Sequence, residues 1–118
     1  MDVEPAALTV LTTTDTEHKA RDLAHGAVRE RVAACAQISG PVTSVYRWEG
    51  DIETAGEWQV LLKTTPERYA ALEAWLTDAH DYDTPEIIAT PVVRGSAAYL
   101  AWVEQEVGRS GAEEETAE

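Results

Sequence analysis

The sequence predicts an α+β fold, a ferredoxin-like split β-α-β sandwich with a long β-hairpin and an added C-terminal helix. Three observations predict it. Runs with an apolar period of two and runs with a period of 3.6 follow one another in the order strand, helix, strand, strand, helix, strand, helix. The stretch from Ala33 to Trp48 is apolar, small or β-branched, and after a turn at Glu49-Gly50-Asp51 a second extended run answers it, which makes a long hairpin. A last periodic run, Ala97 to Val107, lies beyond what the split unit needs.

Each element has a local reason. Leu8 to Thr13 is rich in β-branched residues and reads as the first strand. Thr14 with Glu17 three residues on fits a capping box, and Ala20, Leu23, Ala24, Ala27 and Val28 then recur at helical spacing. Gly40-Pro41 interrupts the second strand and predicts a bulge there. In the returning strand Trp58, Val60 and Leu62 alternate with Gln59, Leu61 and Lys63. Thr65-Pro66-Glu67 opens the second helix, since threonine caps, proline suits the first helical position and glutamate favours the positive end of the dipole. Tyr69, Leu72, Leu76 and Ala79 make its apolar stripe, Ile87 to Val93 is the fourth strand, and Gly95-Ser96 precedes the last helix.

The length of 118 residues suits one domain, read as residues 1–108, followed by a polar, acidic tail over 109–118 that reads as disordered. The formal net charge is −13, and because the last ten residues hold four glutamates and one arginine, residues 1–108 keep −10 of it. A domain this acidic repels nucleic acid and anionic membranes and attracts cations and basic partners. No apolar run approaches membrane-spanning length, so no membrane partner is expected. One cysteine and a start without signal-peptide character make a cytoplasmic protein the expectation. Enzyme signatures such as a Gly-x-Ser-x-Gly elbow, a phosphate-binding loop or a His-Glu-x-x-His pair are missing, and a non-enzyme is expected.

The residues with chemistry to offer gather in His80-Asp81-Tyr82-Asp83-Thr84-Pro85-Glu86, where Pro85 stiffens the entry to the fourth strand and so fixes Glu86 near its start. His80 reads either as an imidazole favoured by the helix C-terminus or as a metal ligand. Cys35, among small apolar residues, reads either as a structural cysteine or as a soft thiolate donor. Lys63 and Glu86 suit a partly buried ion pair. Lys63 also suits a cleft, supplying a point charge for an anion between aromatic walls from Tyr82, Trp48 and Tyr46. His18 and Asp22, four apart on a helix, are an adventitious metal pair at most.

Taken in order, Ala34-Cys35, Tyr46-Arg47-Trp48-Glu49-Gly50, Lys63-Thr64 and His80-Asp81-Tyr82-Asp83-Thr84-Pro85-Glu86 resemble the motifs of CutA, the divalent-cation tolerance family, from about Leu8 to Val107. Asp81 departs from the pattern, standing where that family usually has proline. The resemblance implies a homotrimer in which hairpin strands and the last helix pack between subunits. It also implies divalent-metal handling, copper above all, through Cys35, His80 and Glu86, with no cofactor required. The trimer resembles the PII signalling architecture too, which implies a small anionic ligand in inter-subunit clefts lined by Lys63, Tyr82 and Glu86 and closed by a neighbour's Trp48. A third expectation is a scaffold for a protein partner.

Overall fold

The computed structural model describes residues 4–108; the acidic tail of the sequence reading lies outside the described residues. Four strands, β1 (Ala7–Thr14), β2 (Cys35–Trp48), β3 (Asp51–Thr64) and β4 (Ile88–Val92), form one antiparallel sheet in the order β2-β3-β1-β4. With α1 (Glu17–Arg29), α2 (Tyr69–Ala79) and α3 (Ala97–Val107), this is the ferredoxin-like arrangement with an additional helix.

One face of the sheet carries the core. Val10, Val60 and Leu62 point from β1 and β3 into a cluster completed by Ala20, Leu23, Ala24 and Ala27 of α1 and Leu72 and Leu76 of α2. Alternation on the strands explains the choice, because residues two apart share a face. The small α1 residues let the helix lie close to its neighbours, and Gly26 shows how close: a Cβ there would stand 2.4 Å from the ring of Trp75. A smaller cluster of Ala34, Val103 and Val107 seats α3. Its C-terminal end is tied down by Arg31, whose Nε donates to the carbonyl of Glu106 at 2.9 Å.

The ends of the elements differ in detail from the sequence reading. Thr14 is not the cap of α1; β1 continues through it, its side chain is buried, and Thr16 caps instead by accepting from the Lys19 amide at 3.1 Å. Thr65 does cap, but the turn it opens is a single 3-10 turn, Pro66–Arg68, before α2 begins. Ala79, counted in the apolar stripe of α2, is exposed.

The hairpin is as long as predicted, with 14 residues in each strand. Glu49 and Gly50 both have positive φ, 50° and 88°, which is the two-residue turn that matches strand twist. β1 pairs with β3 only from Thr64 back to Trp58, so Asp51 to Glu57 and their β2 partners run on as a two-stranded ribbon, roughly 23 Å of chain at about 3.3 Å per residue. The bulge falls where Gly40-Pro41 predicts it, between the pairs Ser39↔Gln59 and Val42↔Glu57. Gly40 has φ 150°, and a Cβ there would meet the Trp58 ring at 3.0 Å, so both backbone and space call for glycine.

Candidate functional site

A cleft of about 820 Å³ opens between the base of the ribbon and the segment joining α2 to β4. The bulge builds one of its walls. Before it, Cys35, Gln37 and Ser39 share a face with Lys63, Leu61 and Gln59; after it, one extra β2 residue puts Ser44, Tyr46 and Trp48 on the face of Ala55 and Glu57. Tyr46 and Trp48 are thereby turned into the cleft. The opposite wall is Tyr82 to Glu86, held in place by Tyr82, whose hydroxyl donates to Glu57 Oε2 at 2.7 Å.

Four carboxylates line the cleft, Asp15, Glu57, Asp83 and Glu86, and its lining contains no lysine, arginine or histidine. Glu57 is the most enclosed, at 8 % exposure. Burial, and then the hydrogen bond to Glu57, push the Tyr82 phenol well above its ordinary 10.0, so it remains a neutral donor. Asp15 is answered from outside the cleft: Lys19 lies 2.9 Å from it and 2.6 Å from Asp81. The hydrogen bonds to Asp81 and then Asp15 raise the Lys19 pKa, and the same contact with Lys19 lowers that of Asp81. The aspartate in place of the family proline thus ties the α2–β4 segment to α1.

The residues expected to hold a metal do not meet within one subunit. Cys35 pairs across the sheet with Lys63 and, beyond it, Thr9, whereas His80 binds the carbonyl of Thr13, four residues along β1 or about 13 Å away. Cys35 Sγ instead lies 3.4 Å from the Tyr99 hydroxyl, and this contact, together with burial, pushes the phenol up to about 12. His80 does stand at the C-terminal end of α2, as one of its two readings had it, with its ring fully buried. The metal-ligand reading is corrected, because both nitrogens are taken: Nε2 lies 2.7 Å from the Thr13 carbonyl, and Nδ1 accepts from the Tyr82 amide at 3.1 Å. Among the described residues, no group of three or more His, Cys, Asp or Glu is placed to hold a metal ion.

Tyr82 and Glu86 line the cleft with Tyr46 and Trp48 of the same chain, whereas the expected ligand cleft had Trp48 come from a neighbour. Lys63 does not line it. The β3 register sets it six residues from Glu57, where Nζ donates to Gln37 Oε1 at 2.8 Å, so the expected pair with Glu86 is not formed. His18 and Asp22 lie 3.4 Å apart on the exposed face of α1. Sequence reasoning missed Glu57: a single carboxylate in a period-two strand reads as solvated, and the only signal was its position beside Gly56 at the start of the paired part of β3.

Comparison with known proteins agrees with the fold. The model of the family described as CutA1 divalent ion tolerance protein matches residues 8–106. The chain belongs to the CutA1 family. It is 42 % identical over 99 residues to the divalent-cation tolerance protein CutA of Citrobacter koseri, a match covering 84 % of this chain and 86 % of the relative. The Thermus thermophilus CutA1 structure superposes with a TM-score of 0.84 at 37 % identity, covering 86 % of this chain and 99 % of that one. The structure of a CutA described as periplasmic, from Archaeoglobus fulgidus, gives 0.82 at 32 % identity, covering 86 % and 98 %. Like these CutA proteins, the chain is an α+β protein of ferredoxin-like fold, and no described helix is long and apolar enough to cross a membrane.

Proposed function

We propose that this CutA1-family protein acts in divalent-cation tolerance as a non-enzymatic homotrimer whose acidic clefts, with carboxylates spread along the walls rather than gathered into one three-ligand group, take up divalent cations with modest affinity. The observation that carries the reading is the lining of the cleft: four carboxylates and no basic side chain. Carboxylate oxygens suit hard divalent cations such as magnesium and manganese best and hold copper or zinc less firmly than imidazole or thiolate would, while the field of a chain of net charge −13 concentrates cations around them. An anionic metabolite is the poorer fit, because Lys63, the point charge it would need, lies elsewhere on the sheet.

The trimer is supported by the ribbon. A two-stranded ribbon alone is marginal in water, and this one leaves Val45 and Ile52 about two-thirds exposed, with Tyr46 and Trp48 nearly half exposed. Closed rotational symmetry would cover both the apolar side chains and the strand edges. The absence of turnover is supported by how the reactive groups are used: Cys35 contacts a phenol and His80 binds two backbone groups. A reducing, cytoplasmic location is supported by the single, partly exposed cysteine. Cell fractionation tests it directly, since the Archaeoglobus relative is described as periplasmic.

The deciding experiment is a calorimetric titration of Cu(II), and separately Zn(II), into reduced, metal-free trimer. A saturable site in the wild type, weakened at least tenfold in an Asp83→Asn, Glu86→Gln double variant and unchanged in Cys35→Ser, is the expected result. Unsaturable heats, or a site that only Cys35→Ser removes, would overturn the cleft as the place of binding.

A further inference from the structure

His80 sits at the junction of three elements with its ring sealed from solvent, and its hydrogen bonds define its protonation state. The Thr13 carbonyl, 2.7 Å from Nε2, can only accept, so Nε2 carries the proton. The Tyr82 amide, 3.1 Å from Nδ1, can only donate, so Nδ1 keeps its lone pair. The ring is therefore neutral, in the Nε2–H tautomer, and its centre lies 4.6 Å from that of the Tyr82 ring, the two planes tilted by 53°. Tyr82 passes the constraint on, because its hydroxyl donates to Glu57 and the residues after it are the cleft wall.

We propose that His80 is a proton-operated positioning residue for that wall. A proton taken up from solvent at Nδ1 occupies the lone pair that holds the Tyr82 amide and sets two N–H groups against each other. Residues 81–86 then have to move. The imidazolium has a ready new partner, since Asp81 Oδ1 lies only 3.7 Å from Nδ1. Turning Nδ1–H towards Oδ1 leaves Oδ2 with Lys19, so the carboxylate is shared between two cations and the segment is drawn towards the ring in the same step.

The charged surroundings are mixed. From α1, Lys19, Asp22 and Arg29 line the groove that holds the ring, while α2 presents only Trp75 and Ala79 there. β1 contributes the neutral Thr13 carbonyl and Thr14, and β3 contributes Glu57 through Tyr82. Acidification thus acts on the shape of the cleft as well as on its carboxylates, whether or not the cleft holds a cation.

The test is NMR on the whole protein, following the His80 ring nitrogens by long-range ¹H–¹⁵N correlation and the amides of residues 81–86 from about pH 8 to about pH 5. The expected result is the Nε2–H tautomer at the upper end and a shift of the Tyr82 amide with the same midpoint as the ring. His80→Gln, which can still donate to Thr13, and His80→Asn, which can still accept from Tyr82, should both lose that midpoint, and either one suffices if the other fails to fold. Asp81→Asn, which removes the imidazolium's new partner, should keep ring and amide moving together but at a lower pH. A Tyr82 amide that stays still while the ring protonates, a ring that remains neutral throughout the range, or a midpoint that survives in a His80 variant would each overturn the proposal.

Discussion

The two halves of the β2–β3 hairpin are made from one continuous ladder and have opposite surroundings. In the inner half, Val60 and Leu62 both face the helices and are wholly buried, while Gln59, Leu61 and Lys63 face the open side. In the outer half the same alternation continues, but only the segment after Tyr82 lies against its base, and Val45 and Ile52 are exposed. The difference shows that strand length and strand burial are set separately. Hydrogen bonding and the Glu49-Gly50 turn extend the ladder, while only the reach of α1 and α2 decides how much of it becomes core. The surplus is exposed apolar surface and a wall for the cleft.

Four changes break or sharpen this contrast. The largest effect belongs to the inner half: Leu62→Ala removes a fully buried side chain at the centre of the core and should cost about 2–5 kcal/mol, read as a lower urea midpoint at fixed protein concentration. An unchanged midpoint would mean that the inner half is no more packed than the outer.

At the join between the halves, Tyr82→Phe deletes the donor to Glu57 and should cost about 1–2 kcal/mol near neutral pH. The pH dependence has a definite sign. The phenol is held neutral in the fold, so its contribution is complete below its ordinary pKa of 10.0 and declines as pH rises beyond it. Wild type and variant should therefore converge in alkaline denaturation curves, and a gap that widens above pH 10.0 would contradict the assignment.

In the outer half, Ile52→Asp should change the stability of the subunit fold itself by no more than about 0.5 kcal/mol, since the side chain is 67 % exposed. Sedimentation velocity should nevertheless show the assembly dissociating. Persistence of the oligomer would remove the ribbon from the interface.

The smallest effect is expected at Asp81→Asn, because the Lys19 bridge is exposed. Asp81 titrates below its ordinary 3.8 in the fold, so its contribution is present above that value and lost as the pH falls through the lowered one. Stability curves of variant and wild type should differ at neutral pH and merge in acid.

Local chemistry made most of the fold legible in the sequence. Alternation at Trp58 to Lys63, helical spacing from Ala20 to Val28 and the interruption at Gly40-Pro41 each depend on neighbours a few residues away, and each appears where it was read. The cap of α1 was misplaced because Thr14 and Thr16 are equally good caps in isolation, and only pairing with Trp58 keeps Thr14 in the strand.

The site was harder, since its geometry comes from register. Nothing near Lys63 in sequence shows that Gln37 and not Glu86 will face it. His80 looked available because imidazoles bind metals, yet its partners are a carbonyl 67 residues away and an amide in a tight bend. Tyr82 and Glu86 were found together because the family resemblance supplied the long-range information that residue types lack.

The one-residue bulge at Gly40-Pro41 makes the outer ribbon a matter of odd and even. Removing either residue would take out the bulge and leave Tyr46 opposite Glu53 and Trp48 opposite Asp51 on the side they already hold, whereas removing one residue beyond it would send the side chains nearer the tip to the other face. Changes in hairpin length beyond the bulge should be tolerated in steps of two per strand and rejected in steps of one. A designer can lengthen or shorten this arm freely as long as the count stays even.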